Sequence, residues 1–363
     1  MNPMTSRITL ITAGDPYRLT GGNLYNRHVI QAIRRAGLIP TEIVLPLEDP
    51  LFAGRMLRAG LMEQRPAMVM VDSIALDAAA PFAVWIRHYL GARLLALMHM
   101  LPSTIAPEWR KATLQRLEYQ LLSVADRVVT PSDSIGQRLV RAGAVPEQIS
   151  VIAPGKDGVP ALPAASEKCD GLKFLCVANW SPSKGIHTLV EAMARLPSET
   201  ELDLVGDEGG AAYSSYVRDL IRWNLLEQRV HLYGPLEGEE LARRYASADV
   251  FVLPSASESF GIVYAEAMAF GLPVIACRVG PLPWLVEEDC GILVPIDDAG
   301  TLAAAMRTIA SDGSRRGCMS QAALRRTASL PTWRESADRF AGLVRDLLGA
   351  PGVGVRSAPT NMI

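Results

Sequence analysis

Asp249-Val-Phe-Val-Leu-Pro-Ser-Ala-Ser-Glu258-Ser-Phe-Gly261-Ile-Val-Tyr-Ala-Glu266-Ala-Met-Ala-Phe-Gly271-Leu-Pro-Val-Ile-Ala276 carries the two acidic residues around which the chain is read. Val250 to Leu253 is a short apolar run stopped by Pro254, which is a buried strand. Ser255 to Phe260 is small and polar, a loop. Gly261 to Phe270 has apolar residues at helical spacing (Ile262, Ala265, Ala269) and is closed by Gly271 and Pro273. Pro273 to Ala276 then starts the next strand. Eight residues within one helix would set Glu258 and Glu266 about 12 Å apart along its axis. With Glu258 in the loop and Glu266 about two turns in, both can face one crevice at the strand's carboxyl end, where open α/β sheets bind ligands. Gly261, Ile262 and Val263 lie between them, with the free amides and positive dipole end of a helix start, which suit a phosphate. Each carboxylate can accept hydrogen bonds from a sugar diol. A ligand with phosphate in the middle and a sugar at each end is a nucleotide-sugar. The plain alternative makes Glu258 a helix cap and leaves Glu266 solvated.

Outward from that stretch, the chain has room for two domains, each with its own core, at 363 residues. It is 49% apolar and 20% charged, and a net charge of -2 gives no bulk reason to expect nucleic acid. Five cysteines (Cys169, Cys176, Cys277, Cys290, Cys318) are odd in number and lack C-x2-C spacing. They are expected to be reduced, mostly buried thiols of a cytoplasmic protein, with no disulfide and no zinc site. Ile8 to Thr12 is too short for a signal-peptide core, and no stretch reaches the roughly 18 uncharged apolar residues of a membrane span. Any membrane contact is therefore expected to be peripheral, at the inner face.

In the first half, strand signals recur at Ile8–Thr12, Ile43–Leu45, Met68–Asp72, Leu94–His99, Arg127–Pro131 and Ser150–Ala153. Helical stretches such as Pro107 to Ala125 lie between them, which implies a parallel sheet with right-handed crossovers. After Ile8–Thr12 comes a Gly-rich loop ending in Gly21-Gly22, then a helix from about Asn23 to Arg35. Strand, Gly-rich loop and helix is the grammar of a phosphate site, although a Gly-Gly pair alone also fits a simple turn. His99, at the end of a buried strand, is expected to face the crevice; His28, His88, His187 and His231 show no ligand spacing. Trp109-Arg110-Lys111, with Arg116, is a basic and aromatic patch at a helix start, either a solvated face or an acceptor or membrane-surface contact.

The second half opens with a Pro-, Ala- and Gly-rich linker, Pro154 to Asp170, containing Pro160 and Pro163. A strand at Lys173–Val177 leads through Ala178-Asn179-Trp180-Ser-Pro-Ser-Lys184-Gly185 into a helix, Ile186–Leu196, whose apolar face is Ile186, Leu189, Val190 and Met193. Lys184 sits just before that helix, where an ammonium can balance a diphosphate. Leu202–Val205 before Gly206-Asp207, and Val230–Tyr233 before Gly234-Pro235, are two further strand-to-loop edges. Asp298–Ala310 and Arg315–Ser329 read as helices. Trp333, Ala337, Phe340, Val344 and Leu347 form one apolar helical stripe, and 349–363 is expected to be a loose tail. No Asp-x-Asp occurs in the chain.

Glu258 and Glu266 resemble the E-x7-E motif of the retaining glycosyltransferases of family 4, which have the GT-B fold. The likeness covers roughly Ile8 to Leu348, specifically in the second half and loosely in the first. It implies an α/β fold of two Rossmann-like domains with parallel sheets facing across a cleft: 1–165 on the acceptor side and 166–332 on the donor side. The helix at 333–348 would pack back on the first. It implies a hexosyltransferase that takes an NDP-sugar, UDP- or GDP-linked, and glycosylates a hydroxyl of a sugar, lipid-linked or small-molecule acceptor with retention. In family terms Glu258 contacts the transferred sugar, Glu266 holds the ribose, and His99 lies near the sugar. Gly21 and Gly22 face the donor phosphates, and the loop at Gly234 borders the base. Phe260, Gly261, Ile262 and Val263 complete the donor contacts. Lys184-Gly185 matches the family's Lys-Gly, but the family's Arg position reads Asn179. Asn carries no charge and cannot make the bidentate phosphate contact of Arg. Altered donor geometry, a substitute cation such as Arg18, and weakened catalysis all follow equally from that departure. With charge balance left to Lys184 and the helix start, no essential metal and no other cofactor is expected. The rivals are an NDP-sugar epimerase of the same fold and a non-catalytic nucleotide-sugar-binding homologue.

Overall fold

The structure, a computed structural model, describes residues 6–161 and 171–350. These divide into two compact units, 6–153 with 334–350, and 154–161 with 171–333.

The first unit is built on β1 (Arg7–Ala13), β2 (Ile39–Leu45), β3 (Met68–Asp72), β4 (Arg93–Leu97), β5 (Arg127–Thr130) and β6 (Ile149–Val151), in the order β2-β1-β3-β4-β5-β6. All neighbouring pairs are parallel. β3 is buried along its whole length, as a parallel strand covered on both faces must be, whereas edge strand β2 is half exposed. The connecting helices are α1 (Gly21–Arg35), α2 (Pro50–Gln64), α3 (Leu76–Ala79), α4 (Ala83–His88), α5 (Glu108–Leu122) and α6 (Asp133–Arg141). From β1 the chain turns to β2 on one side, then crosses to β3 on the other. The carboxyl ends of β1 and β3 therefore form a topological switch point, the usual ligand crevice of such sheets. Two expectations are corrected here. Gly21 and Gly22 are the first turn of α1, not a loop, because Thr20 is the cap and accepts from the Asn23 amide at 3.2 Å. β4 stops at Leu97, so His99 stands two residues beyond the strand.

The second unit holds β7 (Leu172–Val177), β8 (Thr200–Val205), β9 (Val230–Tyr233), β10 (Val250–Leu253), β11 (Val274–Cys277) and β12 (Gly291–Val294), in the order β12-β11-β10-β7-β8-β9. Its helices are α7 (Ile186–Met193), α8 (Ala211–Trp223), α9 (Gly238–Ser247), α10 (Ile262–Ala269), α11 (Leu282–Leu285), α12 (Ala299–Ser311) and α13 (Gly313–Ala328). β10 and β11 are buried throughout, and the apolar face of α7 is fully covered. The switch point lies between β7 and β10, whose following loops carry Lys184 and Glu258.

The boundary between units falls after Ala153, ahead of the expected 165/166. Residues 154–161 are docked rather than free-running: Lys156 N donates to Pro331 O at 3.0 Å and Trp333 N to Asp157 Oδ1 at 2.7 Å. The rest of the expected linker, with Pro163 and Cys169, lies outside the described residues, as does 351–363 of the expected tail. α14 (Trp333–Gly349) buries Ala337, Phe340, Val344 and Leu347. Ala337 and Ala341 pack on Ala32 of α1, and Ser336 Oγ donates to Ala153 O at 2.6 Å. From Arg334 onward the helix thus belongs to the first unit. Each buried Phe, Val or Leu of its stripe contributes roughly 1.5–3 kcal/mol. Among the described residues no helix is long and apolar enough to cross a membrane.

Candidate active site

In the second unit the loops after β7 and β10 are fastened together. Ala256 N and Ser255 Oγ both donate to Ser183 O, at 2.7 and 3.2 Å. Gly185, at φ +65°, lies so close to Pro254 that a Cβ would stand 2.3 Å from its carbonyl oxygen. This closeness sets Lys184 Nζ 2.6 Å from Glu258 Oε1, a charge-assisted hydrogen bond between side chains 29% and 10% exposed. Three residues on, Gly261 caps α10 at φ +96°, where a Cβ would meet Tyr264 and Leu282 at 2.9 and 3.0 Å. The Tyr264 hydroxyl donates to Leu253 O at 2.8 Å and ties the helix to the strand end. Ile262 and Val263, half-buried, begin the helix, whose first amides have no acceptor within it.

Glu266 is only 5% exposed. Tyr245 Oη donates to its Oε2 at 3.1 Å, and its Oε1 is 2.7 Å from where a Cβ on Gly158 would stand. Burial pushes the carboxyl up to about 7, with the Tyr245 hydrogen bond acting against that. Glu266 is thus nearly covered, and Gly158, far upstream in sequence, lies against its carboxylate. Glu266 is not the solvated residue of the plain alternative.

The remaining donor-side candidates have structural work of their own. Asn179 Oδ1 accepts from Asp207 N at 3.1 Å, Trp180 N donates to Asp207 O at 2.7 Å, and Gly206 N donates to Gly234 O at 3.2 Å. Asn179 therefore clamps the loop after β8 against the loop after β7. Phe260 is buried, its ring tilted against Trp284 with centroids 6.4 Å apart, which is a packing role. Among the described residues no group of three His, Cys, Asp or Glu side chains is arranged to hold a metal. Cys176 and Cys277 are buried thiols pushed up to about 12, and so unreactive.

In the first unit the β1–β3 switch point holds a polar network that sequence reasoning missed, apart from His99. Asp72, buried at the end of β3, accepts from Asn26 Nδ2 at 2.6 Å and Thr12 Oγ1 at 3.2 Å. Asn26 Oδ1 lies 2.9 Å from His99 Nε2, and the His99 ring stands edge-on to Tyr25. Gly22 faces the same ring: a Cβ there would be 3.3 Å from His99 Cδ2. Burial pulls the His99 imidazole below its ordinary value, with the Asp72 charge opposing. One signal for Asp72 was available, a carboxylate ending an otherwise apolar strand at the same sheet edge as His99. Gly21 and Arg18 are exposed near the start of α1. In the basic patch, Arg110 pairs with Asp77 at 2.7 Å and Lys111 with Glu108 at 2.5 Å, so these two cations are already matched.

Residues 7–155 match the glycosyl transferase 4-like domain, and residues 171–312 match the glycosyl transferases group 1. The chain belongs to the family 4 glycosyltransferases. Among its family 4 relatives, a D-inositol 3-phosphate glycosyltransferase of Kineococcus radiotolerans is 35% identical over 237 residues, 58% of this chain and 54% of that protein. A sulfoquinovosyl transferase of Arabidopsis thaliana is 30% identical over 231 residues, 60% of this chain and 44% of that protein. The family 4 chain thus spans about half the length of the curated relatives it matches. Sucrose-phosphate synthase of Thermosynechococcus elongatus superposes with a TM-score of 0.83 at 26% identity, over 95% of this chain and 100% of that one. Two six-stranded parallel sheets and this match make the fold GT-B.

Proposed function

We propose that the protein transfers a sugar from a nucleoside-diphosphate sugar to an acceptor hydroxyl, with retention of anomeric configuration and without an essential metal. The observation that carries this reading is the Lys184–Glu258 pair at the β7–β10 switch point, next to the amino end of α10. Lys184 and the amides of Gly261, Ile262 and Val263 are the groups that neutralise a leaving diphosphate as its charge develops. Glu258, held by Lys184, accepts from hydroxyls of the transferred sugar. Glu266 accepts from the ribose diol, and His99 is the residue that orients the sugar. UDP- and GDP-sugars are the donors to test first; an Anabaena protein of the same fold was solved with UDP-glucose. The test is a thermal-shift screen with UDP-, GDP-, ADP- and TDP-sugars, followed by a transfer assay on an acceptor panel that includes D-inositol 3-phosphate. A ligand that binds only the folded state raises its apparent stability. A protein that is shifted by no nucleotide-sugar sinks the reading.

One observation favours a second reading, a nucleotide-sugar-binding protein without turnover. Asn179, at the family's Arg position, spends its carbonyl oxygen on the Asp207 amide. A clear thermal shift with neither transfer nor slow donor hydrolysis identifies that case.

A further inference from the structure

His99 sits in a network whose chemistry fixes more than its position. Asp72 is buried, and its Oδ2 is 2.6 Å from the Asn26 side-chain amide, so the group facing it is the NH2, which donates. The Asn26 carbonyl oxygen is then the atom 2.9 Å from His99 Nε2, and it can only accept. A neutral His99 must therefore carry its proton on Nε2. Asp72 Oδ1, 3.9 Å from Nε2, favours a positive ring edge on that side. Oδ1 is itself held by the Ile74 amide at 3.1 Å and by Ser73 Oγ at 3.3 Å, so the carboxylate cannot rotate away. Nδ1 is left with a lone pair and makes no hydrogen bond among the described residues.

We propose that Asn26 and Asp72 are positioning residues that lock His99 in its Nε2-protonated tautomer, so that Nδ1 accepts a hydrogen bond from a substrate hydroxyl. This deepens the transferase reading and rests on it for the identity of that hydroxyl. In this arrangement His99 is an acceptor that orients a sugar, and no proton leaves the hydroxyl. The lowered proton affinity of the buried ring fits, because a protonated ring would have no lone pair to offer. The plain competing role for Asp72 is structural, as the cap of the short turn Ser73–Ala75.

The test is the 15N spectrum of histidine-labelled protein at about pH 8, where an ordinary imidazole is neutral. His99 is assigned by its loss in His99→Gln among the five histidines. Wild type is expected to show one ring protonated on Nε2 without any donor present. Asp72→Asn leaves two amides that can each flip, so its His99 is expected to show both tautomers. Its kcat is expected to fall roughly 10- to 100-fold as the acceptor atom loses its orientation, with donor affinity retained. A wild-type ring protonated on Nδ1 overturns the proposal, as does an Asp72→Asn protein whose ring stays wholly Nε2-protonated. The wild-type measurement needs no active enzyme, so it is separate from the test of transfer.

Discussion

A Cβ placed on Gly158 would stand 2.7 Å from Oε1 of Glu266. The carboxylate expected to hold the ribose therefore lies against Gly158, where an added Cβ would have to displace it. Gly158→Ala is expected to displace the Glu266 carboxyl from Tyr245 or to push its own segment outward. Overpacking of this kind costs about 1–3 kcal/mol, visible as a lower unfolding midpoint. Donor affinity is expected to fall roughly tenfold or more, about 1.4 kcal/mol, by calorimetric titration. Unchanged donor affinity would detach Glu266 from the donor.

The Lys184–Glu258 pair yields the sharpest test of the donor site. Lys184→Ala removes the ammonium from Glu258 and from the place proposed for the diphosphate. Lys184→Ala and Glu266→Ala are each expected to abolish the thermal shift caused by the best nucleotide-sugar. If both variants keep it, the assignment is wrong.

Glu266 is also expected to make donor binding pH-dependent. Its folded-state value, about 7, lies above the ordinary 4.5. The folded protein therefore binds this proton more tightly than the unfolded chain. That contribution, on the order of 3 kcal/mol, is fully present below pH 4.5 and is lost as pH rises through about 7. A ribose diol donates to the ionised carboxylate, so donor affinity is expected to rise with pH through about 7, with proton release on binding. Titration in two buffers of different ionisation enthalpy measures the release. Glu266→Gln is expected to flatten the stability trend; a variant with the wild-type slope would assign it elsewhere.

Metal independence is checked by turnover in EDTA, which is expected to be unchanged. Activity lost to the chelator and restored by Mn²⁺ or Mg²⁺ would show that Lys184 and the α10 amides do not suffice.

The elements themselves were largely legible. Val250–Leu253, the loop to Phe260, the helix after Gly261 and the buried stripe of α14 follow from apolar period, proline and glycine, all of which act within a few residues. The spacing of Glu258 and Glu266 about a helix start was legible for the same reason. What the linear pattern did not carry is which distant groups meet them. Strand order places the ends of β1 and β3, and of β7 and β10, side by side, because crossovers reverse there. Asn26 reaches Asp72 across 46 residues and His99 across 73, and Gly158 and Tyr245 close on Glu266. Those encounters depend on sheet pairing and side-chain packing, which have no period along the chain, so they emerge only once the units have folded.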